Sequence, residues 1–404
     1  LRKNTLYITF DGLSDPLGRS QILPYLIGIA QAGFAITILS CEKEQALKLE
    51  KEKIDSLIKD LPIKWSYILY DQAGGFLSKI SHVKQLKSLA RTIVATNKIE
   101  LTHCRSYLAS LIGLELKIKS HIPFVFDMRG YWADERFDGN IWHRSNLLHQ
   151  LFYTYFKRKE KQFIHHSDAI VSLTNAAKTD LANRFPNDLI ELKTEVIPCC
   201  TNTELFDRQS IQKQVAIDGV NKDDLLLVYT GSIGTWYYTQ EMIDCVAEWR
   251  KLIPNIKLLI LTKDRNEINV ILSNYSKEIV EIIKVESASY QDVPFYLARA
   301  NAAIFFIKPA YSKIASSPTK MAECWAMNLP IITNVGIGDN DLYFKTHHGG
   351  VLVDSFDVEA YRKACLSFLN ELPLNHNYRK IACDHFDTRL AIKKYITIYN
   401  KLSS

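Results

Sequence analysis

The chain has 404 residues, 47% of them hydrophobic and 23% charged, with a formal net charge of +6. At about 100 to 200 residues per domain this length favours two domains, and the composition excludes disorder, collagen-like repeats and coiled coil. An excess of six positive charges is too small for a dedicated nucleic-acid binder, but residues 1–190 hold 26 basic and 19 acidic side chains against 24 and 25 in the rest, so an electrostatic partner is expected at the first half.

Short β-branched and aromatic runs alternate with amphipathic runs of helical length, the pattern of βα units around parallel sheets. In chain order, strands are predicted at 6–10, 35–40, 64–69, 101–104, 123–128, 169–173 and 195–198. Helices are predicted between and after them at 20–32, 43–60, 79–96, 106–119, 145–166 and 175–185. Periodicity fails between 198 and 224, where turn residues and charges accumulate. A second series of strands follows at 225–229, 257–261, 280–285, 302–307, 330–333 and 351–353. The expectation is an α/β chain of two doubly wound domains, 1–205 and 206–387, facing across a cleft. Ligands then belong beyond the carboxyl ends of the strands.

Eight cysteines, Cys41, Cys104, Cys199, Cys200, Cys245, Cys324, Cys365 and Cys383, form no C-x-x-C pair and no disulfide-scaffold spacing. They read as reduced thiols of a cytoplasmic protein. No apolar run approaches the roughly 18 residues of a membrane span, and the start of the chain lacks a signal-peptide core.

Chemistry concentrates at a few strand ends. After the first strand, Gly18 allows close approach of a ligand, Arg19 favours an anion, and Ser20 suits an N-cap. After the strand at 123–128 come Asp127, Arg129, Trp132, Asp134, Glu135 and Arg136, which would orient hydroxyls, hold a phosphate and stack on a sugar face. A salt-bridged loop is the plainer account. In the second half, Gly231 and Ser232 sit in a strand-to-helix turn that offers backbone amides to phosphate. Further on, Ser317 suits an N-cap and Pro318 the first helical position, while Lys320 and Glu323 fall on one helical face. An ordinary capped helix with an ion pair explains that segment alone. His103 ends a strand and is expected to face the acceptor. Residues 146–166 read as an amphipathic basic helix suited to anionic lipid, or as a packing helix with a solvated basic end.

These residues resemble the retaining nucleotide-sugar glycosyltransferases of glycosyltransferase family 4, which have the GT-B fold. The most specific part is the run from Ser317 through Lys320 and Glu323 to Ala326 and Pro330, supported by the loop through Gly18 and by Val196, Ile197 and Pro198 followed by Glu204, Leu205 and Phe206. The resemblance implies donor binding in the second domain and acceptor binding in the first, with helix 388–404 packing back on the first.

It further implies that Glu323 holds the donor ribose, that Gly231 and Ser232 border the diphosphate, and that Glu286 and Ser287 border the base. Lys320 is the first candidate for the phosphate charge and Lys263 the second, with Ser316, Ser317 and Thr319 beside them. Asp127 and Arg129 join the catalytic set, Arg129 standing where many relatives carry a histidine. Gly18, Arg19, His103, Trp132, Asp134 and Glu135 form the acceptor side. Ala315 replaces a second glutamate of many members, and Ser232 and Tyr237 stand where they often carry Arg and Lys.

The implied function is transfer of a sugar from a nucleotide-diphosphate sugar to a saccharide or lipid-linked saccharide. No metal or other cofactor is implied, the partners include an anionic membrane surface but no nucleic acid, and the place of work is the cytoplasm or the inner face of the cell membrane. The alternatives are a non-catalytic subunit of the same fold and a nucleotide-sugar epimerase.

Overall fold

A computed structural model describes residues 3–70, 75–212, 215–374 and 376–402. It divides into two compact units, Leu1–Pro198 with Thr388–Ser404, and Cys199–Asp387. The boundary therefore falls seven residues before the predicted 205/206. The reason is local: the Cys199 amide donates to Ser317 Oγ at 3.2 Å, the Thr201 amide to the Phe386 carbonyl at 2.8 Å, and the Thr203 hydroxyl to Asp387.

Among its described residues the first unit has seven strands: β1 Asn4–Thr9, β2 Ala35–Glu42, β3 Ile63–Leu69, β4 Leu101–Arg105, β5 Phe124–Asp127, β6 Ala169–Ser172 and β7 Thr194–Val196. They pair in parallel in the order β3-β2-β1-β4-β5-β6-β7. Strands β4, β5 and β6 are buried along their whole length, which follows from helices covering both faces of a parallel sheet. The last helix, Thr388–Leu402, belongs to this unit and packs on Leu23–Gln31. A Cβ on Gly28 would stand 2.4 Å from Ile392 Cδ1, so only glycine lets the two helices approach this closely.

One predicted helix is two. The segment read as 20–32 forms Pro16–Gln21 and Leu23–Gln31, with a break at Ile22. Pro24, which has no N–H to donate, lies in the first turn of the second helix, where that loss is tolerated. Ser20 is consequently inside the first helix and donates to the Pro16 carbonyl at 3.0 Å instead of capping.

Among its described residues the second unit has six strands: β8 Leu225–Thr230, β9 Ile256–Leu261, β10 Ile283–Glu286, β11 Ala302–Ile304, β12 Ile331–Asn334 and β13 Gly350–Val353. All are parallel, in the order β10-β9-β8-β11-β12-β13. The strand expected over 280–285 starts later because Lys277–Glu281 is a short helix. The strand expected over 302–307 ends at Ile304: beyond it the Ile307 amide donates to Asn334 Oδ1 at 2.8 Å, and Tyr237 forms an antiparallel bridge with Ile307. In each sheet the strand order reverses its direction of growth once, at β1/β4 and at β8/β11. Those reversals are where open α/β sheets leave room for ligands.

Candidate active site

In the second unit the β8/β11 reversal collects most of the donor-side residues expected from the sequence. The turn after β8 carries Gly231 at φ 140° and Gly234 at φ 85°, and Thr235, which follows Gly234, has φ 50°. Left-handed backbone of this kind favours glycine and leaves Thr235 strained. The turn is held from several sides: the Gly231 amide donates to Leu261 O at 3.0 Å, the Ile233 amide to Asp264 Oδ2 at 2.8 Å, and the Tyr229 hydroxyl to the Ser232 carbonyl. Beyond it the Tyr238 amide donates to Phe306 O at 3.0 Å and the Lys308 amide to Trp236 O at 2.8 Å.

Under this turn lies the helix Thr319–Ala326. Lys320 and Glu323 both point inward and are buried. The Lys320 Nζ has no hydrogen-bond partner among the described residues; it stands 3.6 Å from the Tyr237 ring centroid and 4.1 Å from that of Tyr229. Burial pulls the Lys320 ammonium down to about 7, against the favourable charges of Cys324 and Glu323. Burial likewise pushes the Glu323 carboxyl up to about 7, against Lys320. The two therefore share a face without forming an ion pair, a correction to the plainer account of that helix. A buried amine without an acceptor is costly unless an anion meets it. Such a site can hold a phosphate with one ammonium and the backbone of a turn.

The remaining donor-side residues divide. Ser232 is exposed beside Gly231, and Thr319 opens the helix. Pro318, expected as the first helical residue, is the N-cap, and Ser317, expected as the cap, lies one residue outside and accepts from Cys199. Ser316 follows the 3₁₀ turn Tyr311–Ala315, in which Ala315 is buried. Lys263 is exposed after β9; its neighbour Asp264 is the residue that ties the turn. Glu286 ends β10 and lies 3.6 Å from Arg265, while Ser287 donates to Thr262 O at 2.6 Å. Sequence reasoning missed the aromatic floor of Tyr229 and Tyr237; an aromatic placed just after two turn glycines was the available signal.

In the first unit, the β1/β4 reversal brings together Asp11, Arg105 and Asp127. Arg105 Nε donates to the half-exposed Asp11 at 3.3 Å and Arg105 Nη1 lies 3.9 Å from Asp127. Asp127 is buried, with His103 Nε2 at 3.4 Å and the Tyr395 hydroxyl donating at 3.3 Å. Burial would raise its carboxyl, but Arg129 and His103 prevail and hold it below the usual range. Arg129 follows at φ 56°, a left-handed conformation of the kind that clusters at functional sites. Asp11 and Arg105 were not nominated from the sequence, although a basic residue closing an apolar strand is a readable sign.

Several acceptor-side expectations change here. His103 is buried, its Nδ1 2.7 Å from the Tyr399 hydroxyl, so it is engaged by the C-terminal helix and withdrawn from solvent. Asp134 is buried and bound by the Tyr153 hydroxyl and Lys157 Nζ, each at 2.8 Å. Trp132 packs against Tyr107, Trp142 and Phe156, under the Arg136 guanidinium at 4.6 Å, while Glu135 is half-buried on the same helix. A Cβ on Gly18 would stand 2.0 Å from the Gly12 carbonyl, so the close approach Gly18 permits is to its own loop. Arg19 is paired with Glu50 at 3.0 Å. The loop is shaped by a residue the sequence did not reveal: buried Glu42 accepts from the Leu13 amide at 2.7 Å, the Ser14 amide at 3.1 Å, and the Ser14 and Ser40 hydroxyls at 2.5 Å.

Among the described residues, one group has metal-ligand spacing: His348, Glu371 and His376, whose ligating atoms lie within 4.8 Å of one another. It shares no residue with either strand-end cluster. Among the described residues, which include all eight cysteines, there is no disulfide.

Residues 26–205 match the family model described as Glycosyltransferase Family 4, and residues 210–384 that described as Glycosyl transferases group 1. No curated protein matches the sequence. Among solved structures, sucrose-phosphate synthase from Thermosynechococcus elongatus is similar with a TM-score of 0.70 at 15% identity, covering 99% of both chains. The Anabaena protein HepE in complex with UDP and glucose gives 0.67 at 13%, also over 99% of both chains. WaaG, a glycosyltransferase involved in lipopolysaccharide biosynthesis, gives 0.66 at 12%, over 98% of this chain and 99% of its own. At these identities the likeness concerns the fold.

Proposed function

We propose that this chain, whose two halves match glycosyltransferase family models, is a retaining, metal-independent enzyme that transfers a sugar from a nucleotide-diphosphate sugar to a hydroxyl of a saccharide or lipid-linked saccharide. The observation that carries the donor assignment is the buried, unpartnered Lys320 ammonium beneath Gly231 at the β8/β11 reversal. The structural neighbour crystallised with UDP and glucose supports a nucleotide sugar as the partner.

In the reaction the bond from the anomeric carbon to the diphosphate breaks, the acceptor oxygen bonds to that carbon, and the acceptor proton leaves with the diphosphate. Negative charge grows on the leaving group. Lys320 meets that charge together with the Ser232 end of the turn, since the Gly231 and Ile233 amides are already bonded to Leu261 and Asp264, and these groups stabilise the transition state more than the ground state. Glu323 receives ribose hydroxyls. Arg129 and Asp127 belong to the first unit's share, with half-exposed Asp11, held by Arg105, as an acceptor contact.

The test is transfer and slow donor hydrolysis over a panel of nucleotide sugars, with Lys320→Ala and Glu323→Ala compared with the parent. Loss of more than a hundredfold in either variant is expected. Activity within a few-fold of the parent in both variants refutes the assignment. A second reading, a non-catalytic subunit, draws on Ala315 and Ser232 standing in place of charged residues; it predicts that no donor binds at all.

No described helix is long and apolar enough to cross a membrane. The proposed place of work is the cytoplasm and the inner face of the cell membrane, for which the exposed Leu147, Leu148 and Leu151 are the support.

A further inference from the structure

The first unit contains a pocket of about 920 Å³ among the helices Gly75–Thr96, Ser106–Ser120, Trp132–Asp138 and Leu147–His166. It shares no residue with Asp11, Arg105, Asp127 and Arg129. Its size lies near the top of the roughly 300 to 1,000 Å³ of small-molecule sites. Val83, Leu108, Leu111, Phe152, Phe156 and Trp142 supply its walls. A saccharide would find few partners there, because the uncharged polar lining is Tyr155, Gln162, His166 and two indole nitrogens.

The charges around it are one-sided. Six cations line the pocket, Lys79, Lys84, Lys87, Lys119, Arg136 and Lys159, against the single carboxylate Glu115. That carboxylate is already taken by Lys87 and Arg91, with Lys119 at 3.6 Å. Among the described residues Lys79, Lys84 and Lys159 make no salt bridge, and neither does Arg136, on which the carboxylates of Glu135 and Asp11 act only from beyond ion-pair distance. Burial, and then the Arg136 guanidinium, hold the Lys79 ammonium below its ordinary range. Two cations partly withdrawn from water beside each other call for an anion. The pocket also continues onto an apolar surface: Ile141, Leu151 and Tyr155 line it while exposed, and Leu147 and Leu148 lie one turn earlier on the same helix. Contiguous exposed apolar surface edged with lysine is the pattern of a lipid-facing element.

We propose that this pocket takes the hydrocarbon chain of a phosphate-bearing lipid, whose phosphate rests on Lys79, Lys84 and Arg136 while Leu147, Leu148 and Leu151 enter the lipid layer. The proposal does not depend on what the second unit binds.

Dodecyl phosphate below its micelle threshold is the probe, titrated calorimetrically into the full chain, with dodecyl maltoside and inorganic phosphate as comparisons. One dodecyl phosphate per chain is expected, at least tenfold tighter than the maltoside, with no heat from inorganic phosphate. Lys79→Gln combined with Arg136→Gln should bring dodecyl phosphate to the affinity of the maltoside. Leu111→Trp, which fills the pocket, should weaken both at least tenfold while leaving nucleotide-sugar binding unchanged; Val83→Phe serves if that variant does not fold. Equal affinity for the two amphiphiles, binding of inorganic phosphate alone, or binding indifferent to the filled pocket overturns the proposal. So does self-association of the chain that excludes the probe, because a second copy would then cover this face.

Discussion

Gly231 leaves open the space above Lys320: a Cβ at Gly231 would lie 2.8 Å from the Lys320 Nζ and 3.3 Å from the Tyr229 hydroxyl. The buried ammonium thus sits directly below an exposed backbone turn. Its floor is aromatic, and its roof has no side chain. An anion entering over the turn would meet the charge through the gap that glycine provides.

Gly231→Ala should impair both folding and binding. At φ 140° an alanine is strained, which costs on the order of 1–3 kcal/mol, and its methyl displaces the Lys320 Nζ. Urea denaturation and a nucleotide titration check this. Wild-type affinity in a destabilised variant would mean that the ammonium does not act through this gap.

Lys320→Met should separate stability from function. The ammonium is buried with no acceptor, so an apolar chain of similar length should leave the unfolding free energy within about 1 kcal/mol of the parent or raise it. Nucleotide-sugar binding should fall at least a hundredfold. A loss of stability beyond about 3 kcal/mol with binding intact would contradict this account.

The same pair makes a pH signature. Burial raises the folded-state value of Glu323 to about 7, so between roughly 4.3 and 7 the folded state binds more protons and stability falls as pH rises. Burial lowers Lys320 to about 7, so above 7 the unfolded state binds more protons and stability rises again towards roughly pH 10. The ligand-free protein should therefore show a minimum near pH 7 relative to the double variant Lys320→Met, Glu323→Gln. Denaturation curves at intervals from pH 5 to 9 test this. Parallel profiles for parent and double variant would exclude it.

Glu42→Ala should cost about 3 kcal/mol or more. It removes a buried acceptor of four hydrogen bonds and leaves the Leu13 and Ser14 amides unpaired. Hydrogen exchange should quicken first at Leu13 and Ser14. Unchanged protection there would show that the loop is held by its ion pairs, Lys43 to Asp15 and Arg19 to Glu50.

Much of this architecture was readable in advance. Strands such as Leu225–Thr230 and Ile256–Leu261 announce themselves because a parallel sheet covered on both faces demands continuous apolar runs. Gly231 and the three-residue spacing of Lys320 and Glu323 are equally legible, since turn geometry and helical periodicity are local properties. Strand β10 was blurred because the short helix Lys277–Glu281 runs straight into it and both are apolar on one side.

Which side chains remain available for chemistry was decided by packing between distant segments. Asp127, His103, Asp134 and Trp132 look alike in the sequence as polar or aromatic groups near strand ends. Tyr395 and Tyr399 come from the far end of the chain to bind the first two, Tyr153 and Lys157 take the third, and Phe156 and Trp142 enclose the fourth. The order of residues determined the alternation of strands and helices, because burial needs only a repeating pattern of hydrophobicity. The tertiary structure alone decided which charges are spent on neighbours and which, like Lys320, are left for a ligand, because that depends on elements brought together from tens to hundreds of residues apart.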